Sequence, residues 1–342
     1  MIRRALALVV LLAGCSGSPA ASPALSPSAT PFATPSVAVA SPTRTAPAAV
    51  ASPTATPIAL PSFALLSAPS GTVVWALVAA TRLFRSTDRG DTWTERPLPA
   101  PAPDPDIAFV SDTEGWAVLR GAAAAQCGQQ SLALSHTADA GTTWQAQVPT
   151  GIAPAQCKEA LSFPDAQHGF LSAWDPNSAP VIYRTTDGGR TWSASRPLPD
   201  PPGFTTTAAG FALRAGPVKA FAQALLVEAV GQTTSGQRRY VFISGDAGAT
   251  WMHVADAPDP DSSVVFVTGS RWFQRLAGAV SKETSDSGAT WHALTTDYQQ
   301  AAPVAPTIVF GDAQTGYATV RGAIQRTIDG GAHWTQLHTP GT

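Results

Sequence analysis

The chain has 342 residues with a formal net charge of −2; 44% are hydrophobic and 13% charged. That balance leaves out the basic footprint that nucleic-acid binding needs. Beyond residue 61 the chain is rich in Gly, Pro, Thr and Trp and poor in Lys and Glu, a mix that favours strands and tight turns over helices. About 280 residues remain there, enough for one large β domain or two ordinary ones.

In chain order, Arg3 and Arg4 open a short apolar run, residues 5–13, that is too short to span a bilayer. A charged start, an apolar core and small residues describe a secretory signal peptide over 1–15. The quartet Leu12-Ala13-Gly14-Cys15 resembles the lipobox of bacterial lipoproteins. The resemblance implies lipid on Cys15, an extracytoplasmic location and membrane attachment, with each buried acyl CH₂ adding about 0.8 kcal/mol. Residues 16–61 are mostly Ala, Ser, Pro and Thr, with Arg44 as their one charge. Such a segment cannot bury enough apolar surface to offset its ordering entropy, so a disordered linker is expected. Its prolines favour extension at about 3.1 Å per residue.

From residue 62 to 342 one octad recurs: Ser/Thr-x-Asp-x-Gly-x-Thr-Trp. Its aspartates are Asp88, Asp139, Asp187, Asp246, Asp286 and Asp329, and its closing tryptophans Trp93, Trp144, Trp192, Trp251, Trp291 and Trp334. The spacing runs from 40 residues (Trp251 to Trp291) to 59 (Trp192 to Trp251). In the last copy His333 replaces Thr. A second motif alternates with it: Phe109 before Gly115-Trp116, Phe163 before Gly169-Phe170, Phe310 before Gly316-Tyr317, with looser versions at Phe266 to Trp272 and Phe63 to Trp75. Each motif reads as strand, turn, strand. Two hairpins per repeat at this period predict an all-β fold, a β-propeller of six four-stranded blades, with a seventh able to hide in the long fourth repeat.

The octad resembles the Asp box, or bacterial neuraminidase repeat. Its combination with the Phe-Gly-aromatic hairpins is most similar to propellers of the photosystem II stability/assembly factor type. The resemblance covers the chain from about residue 62 and implies the fold more than any function. Every octad residue has a structural role available: Asp and Ser/Thr accept or donate within the turn, Gly takes a positive φ, and Trp packs between blades. One shared carboxylate per box excludes a metal loop. Arg85, Arg184 and Arg326 are expected as solvated strand ends. Both turns of a blade fall on one face of the disc. The 2–3 loops and the Pro-rich inter-blade links are assigned to the other face, where recognition is expected.

Cys127 and Cys157 both map to that second face and are expected to form a disulfide. Closing a loop of about 30 residues is worth roughly 3–4 kcal/mol in the chain-entropy model. The Asp-box resemblance also raises an alternative, a sialidase-like exo-glycoside hydrolase. The Arg-Ile-Pro tripeptide of that family is absent, and only Tyr298 and Glu228 offer weak catalytic candidates. Arg120, Arg275 and Arg321 end equivalent strands and form a candidate anion patch. The pairs Asp104/Asp106 and Asp259/Asp261 flank prolines in links, where a calcium site is an alternative but turn chemistry suffices. No metal-ligand spacing appears and no cofactor is implied. The expected protein is a monomeric, lipid-anchored, non-catalytic binding module, held to the membrane through its N-terminus and recognising a protein or glycan.

Overall fold

The second strand of a repeat is apolar or small throughout, as in Val74–Val78 (VWALV) and Gly316–Val320 (GYATV), and is buried at every position. A strand covered on both faces needs no alternation. The outermost strands, such as Thr94–Arg96, alternate or stay exposed. This gradient from inside to outside is what a propeller blade requires, and the computed structural model is a ring of six antiparallel sheets. It describes residues 59–61, 63–100, 104–121, 130–175, 178–206, 212–222, 224–275, 280–298 and 306–342. The signal peptide, nearly all of the expected linker, Cys15 and Cys127 lie outside the described residues.

Blade one holds β1 (Ala64–Ser67), β2 (Val74–Val78), β3 (Arg82–Ser86) and β4 (Thr94–Arg96). Blade two holds β5 (Asp104–Phe109), β6 (Gly115–Arg120), β7 (Leu132–Thr137) and β8 (Gln145–Gln147). Blade three holds β9 (Cys157–Ser162), β10 (Gly169–Asp175), β11 (Ser178–Thr185) and β12 (Ser193–Ala194). Blade four holds β13 (Ala212–Ala215), β14 (Lys219–Phe221), β15 (Ala224–Thr233), β16 (Gly236–Ser244) and β17 (Met252–Asp256). Blade five holds β18 (Val264–Phe266), β19 (Trp272–Gln274), β20 (Ser281–Thr284) and β21 (His292–Leu294). Blade six holds β22 (Thr307–Phe310), β23 (Gly316–Val320), β24 (Ala323–Thr327) and β25 (Thr335–Leu337).

The long fourth repeat therefore contains no seventh blade. Its extra length goes into two places. The inner strand is broken: β13 and β14 both pair with β15, with Ala215 opposite Ala229 and Lys219 opposite Leu226. One extra residue sits between them, at Gly216-Pro217-Val218. Pro217 has no N–H to give the ladder, so a bulge is the natural outcome. The rest lengthens the β15–β16 hairpin, whose pairing continues out to Thr233 opposite Gly236.

The apolar core is divided into six clusters, one per seam between neighbouring blades. Blades one and six share Leu66, Phe84, Tyr317, Ile324 and Leu337, which closes the ring. Each blade draws all of its strands from its own stretch of sequence. Ala64–Ser67 pair with β2 of blade one, and just ahead of them Pro61 lies against Gly322 of blade six.

Aromatic stacking marks two of the seams. Phe109 of blade two lies flat on Trp75 of blade one, centroids 3.7 Å apart, and Phe163 of blade three lies on Trp116 of blade two at 3.8 Å. The same Phe ring covers the glycine that follows it. A β-carbon on Gly115 would stand 2.2 Å from Phe109 Cδ1, and one on Gly169 would stand 2.4 Å from Phe163 Cε1. The spacing from Phe to Gly thus encodes a ring laid over bare backbone. Phe63 does not belong to this set; it precedes β1 and is 39% exposed.

Gly169→Ala is expected to push Phe163 off Trp116 and to destabilise by about 1–3 kcal/mol, the usual cost of overpacking. Gly245→Ala meets nothing within 4 Å and is expected to stay within about 0.5 kcal/mol of the parent. Thermal or denaturant unfolding of the two variants tests this; equal stabilities would remove the packing account of the motif.

Candidate functional site

The six boxes are closed hydrogen-bond rings. Asp88 Oδ1 accepts from Ser86 Oγ at 2.7 Å and from Thr92 N at 2.9 Å, and its Oδ2 accepts from Thr92 Oγ1 at 2.5 Å. Ser86 Oγ in turn accepts from Gly90 N at 2.7 Å. The same bonds recur around Asp139, Asp187, Asp246 and Asp286. At Asp329 the His333 ring supplies the second bond, Nδ1 to Oδ2 at 2.5 Å. Both the box Gly and the residue before it are left-handed: φ is 86° at Gly90 and 64° at Arg89. The second of the pair lies at or beyond the left-handed region open to L-residues and is Gly in all six boxes, whereas the first stays near that region and accepts Arg89, Ala140, Ala247 and Ser287 beside Gly188 and Gly330.

These bonds hold the six carboxyls at about 2. The Thr hydroxyl is the largest cause at Asp88, Asp139, Asp246 and Asp286. At Asp187 and Asp329 the opposing effect of burial is largest single cause, and the summed hydrogen bonds outweigh it. A carboxylate so fixed is a poor acid or base near neutral pH. The boxes also work outward. A β-carbon on Gly90 would stand 2.7 Å from Leu337 Cδ1 of blade six, and one on Gly248 would stand 2.9 Å from Phe170 Cε1 of blade three. Trp192 and Trp251 are buried, while Trp93, Trp144, Trp291 and Trp334 are half-buried.

The inter-blade links do not all stay on the second face as the sequence map had it. Thr150 N donates to Arg190 O, Arg196 N to Ala249 O and Asp297 N to Ala332 O. Trp144 Nε1 donates to Pro97 O at 2.9 Å. Links thus first cross the outer wall and are clasped by the next blade's box. Two of the three arginines before the boxes, Arg85 and Arg326, are not free strand ends. Arg85 reaches Asp112 of blade two at 3.0 Å, and Arg326 of blade six reaches Asp91 of blade one at 2.7 Å.

The inner strands of all six blades surround an axial cavity of about 590 Å³. Side chains of one blade cap backbone groups of the next inner strand: Ser67 Oγ accepts from Phe109 N, Asp106 Oδ2 from Leu161 N, and Glu228 Oε1 from Val264 N. Asp106 also meets Arg120 at 3.4 Å, and Arg120 donates to Glu159 O at 2.6 Å. Burial outweighs the Arg120 charge and pushes the Asp106 pKa up. Glu159 is paired with Arg214. Asp312, at the cavity mouth, accepts from Gln314 N and Thr315 N. Lys219 lines the same cavity, and its ammonium forms no hydrogen bond or ion pair among the described residues. Sequence reasoning passed over Lys219. The available signal was its position as the lone charge between Arg214 and Glu228.

The weak catalytic candidates occupy separate settings. Tyr298 is buried under Arg275, 5.1 Å from cation to ring centroid, and edge-on to Trp334; burial raises its pKa to about 12. Glu228 is engaged by Arg239 at 2.9 Å and by Val264 N, and burial pushes its pKa up. The candidate anion patch is likewise spread over three blades. Arg120 sits in the channel wall, Arg275 donates to Tyr298 O at 2.8 Å, and Arg321 is exposed in the β23–β24 turn with φ 48°. Of the paired acids, Asp106 is engaged by Arg120 and Leu161 N, and Asp259 Oδ1 accepts from Asp261 N and Ser262 N. No group of three or more His, Cys, Asp or Glu suited to a metal occurs among the described residues. Cys157 is disulfide-bonded, and Cys127, its expected partner, lies outside the described residues.

Residues 183–194 match the model of the BNR/Asp-box repeat family. No curated protein matches the chain in sequence. Among solved structures, the chain is similar to the Hadza microbial sialidase Hz136, with 14% identity over 80% of this chain and 65% of that one, TM-score 0.51. It is similar to a protein of unknown function from Dyadobacter fermentans, with 14% identity over 81% and 92%, TM-score 0.51. It is also similar to YCF48 from Cyanidioschyzon merolae, with 16% identity over 82% and 87%, TM-score 0.45. At these identities the likeness is one of fold.

Lowered carboxyl pKa values stabilise the fold above the unfolded-state value near about 3.9, and that stabilisation is lost as pH falls towards 2. His333 has the opposite sign. Its pKa is raised above 6.5, first by the Asp329 bond, so its contribution is complete below that value and lost as pH rises past the raised pKa. The Tm of the parent relative to His333→Thr is therefore expected to be higher at about pH 5 than at about pH 9; an unchanged difference would contradict the pairing.

Proposed function

We propose that the chain is a lipid-anchored, extracytoplasmic propeller that binds a protein or glycan partner without transforming it. The observation that carries this reading is an asymmetry between the two faces. On one face, six near-identical turns spend their hydroxyls and carboxylates on internal bonds. On the other, the β15–β16 hairpin extends the ladder out to Thr233 and Gly236. Its strand β16 holds the link from blade four: Gln237 Nε2 and Arg239 Nε both donate to Pro260 O, at 3.0 and 2.7 Å. Pre-organised, blade-specific loops on a rigid scaffold are where recognition concentrates.

Anchoring is supported by the Leu12-Ala13-Gly14-Cys15 quartet and by the Pro-rich segment that follows it. The carboxylates at the axial cavity support binding over catalysis, since Asp106, Glu159 and Asp312 are each committed to neighbours. Cys15→Ala is expected to move the protein from the membrane to the soluble fraction and to abolish labelling by a fatty-acid analogue. Retention of both membrane association and label would overturn the anchor.

For binding, the tethered protein serves as bait in a pull-down from native membranes. A variant with residues 232–237 replaced by an Asn-Gly turn should lose the captured partner while keeping its Tm. Capture that is indifferent to the hairpin would sink this assignment of the face. Turnover of a fluorogenic sialoside, lost in Tyr298→Phe, would favour a hydrolase instead.

A further inference from the structure

We propose that the axial cavity is a second binding site, for a small monoanionic organic carboxylate with an apolar body, and that Lys219 holds its charged end. The inference does not depend on the partner-binding face.

Four observations carry it. The cavity, at about 590 Å³, falls within the range of sites that enclose a drug-sized ligand. Its wall is largely apolar, with Leu65, Phe163, Val218, Phe221, Phe266 and Val309 among the lining residues. The other charges that line it are satisfied from within the protein. Arg120 bonds Asp106 and the Glu159 carbonyl, Glu159 carries Arg214, and Asp312 is held by two backbone N–H groups. Among the described residues, Lys219 alone brings a charge into the cavity without a counter-charge.

An unpaired ammonium in a site of low polarity is costly. Burial lowers the Lys219 pKa accordingly. A ligand that supplies one negative charge removes this cost, while its apolar part displaces water from the surrounding walls. A single point cation neutralises a carboxylate, whereas a dianionic phosphate would be left half-compensated.

The bulge in blade four places this group. Pro217 interrupts the inner strand, and β14 resumes with Lys219 two residues before the strand ends at Phe221. The ammonium thus belongs to the end of the cavity ringed by the first hairpin turns of the blades, where Pro164, Val267 and Asp312 also lie. The same bulge is fastened from blade three, where Ser172 Oγ donates to Gly216 O at 2.6 Å. Lys219 is therefore presented by a braced element.

The test uses the full chain and two isosteric probes, 2-naphthoate and the uncharged 2-naphthamide, in calorimetric titrations. Naphthoate is expected to bind one site at least tenfold more tightly than the amide. Lys219→Met should abolish that preference and Lys219→Arg should keep it. A second measurement needs no variant: reductive methylation with formaldehyde and cyanoborohydride, read by peptide mass spectrometry. Lys219 should be modified in the free protein and shielded by naphthoate but not by the amide, with exposed Lys282 as internal reference. Equal affinities for the two probes, binding of neither, a preference that survives in Lys219→Met, or failure of naphthoate to shield Lys219 would overturn the proposal.

Discussion

The ring depends on the contact between each box and the blade before it. A blade is a thin sheet with two apolar faces and cannot be stable alone. What holds it is the seam, where the glycine turn of each box abuts the core of the blade before it. The hydrogen-bond ring of the box keeps that turn in two successive left-handed conformations. Loosening one box therefore acts on two blades. Repetition of the seam around the circle, blade six against blade one included, explains why six clusters replace a single core.

Edges pose the second constraint. The innermost strand of every blade faces the axis with backbone groups that no further strand will pair. The protein meets this by lending side chains across the seam, Ser67, Asp106 and Glu228 each capping a backbone N–H of the next inner strand. This use of carboxylates inside the channel is what makes the remaining cation, Lys219, stand out. Charge that elsewhere marks chemistry is here consumed by architecture, and the binding reading rests on that distinction.

Much of the architecture was legible in the sequence because it is periodic. Asp, Gly and Trp at fixed offsets, and Phe before Gly-aromatic, describe contacts that are local or repeat from blade to blade. The features that break the period were hidden. Pro217 reads as an ordinary loop proline until β13 and β14 are seen on one partner strand. Arg85 and Arg326 read as solvated ends because their partners, Asp112 and Asp91, belong to other blades. Lys219 acquires its meaning only when six distant segments enclose it. The long fourth repeat was ambiguous for the same reason: length alone does not tell a hidden blade from a tall hairpin.

Among the described residues no strand is exchanged between the last blade and the first. In a ring sealed by an exchanged strand, the two ends of the chain meet in one sheet and the gene has a fixed starting point. Here the join between the last blade and the first is made of the same side-chain contacts as the other five. The topology accordingly has no privileged origin: each spoke is one unbroken length of chain, so the wheel could be opened between any two spokes without cutting a sheet.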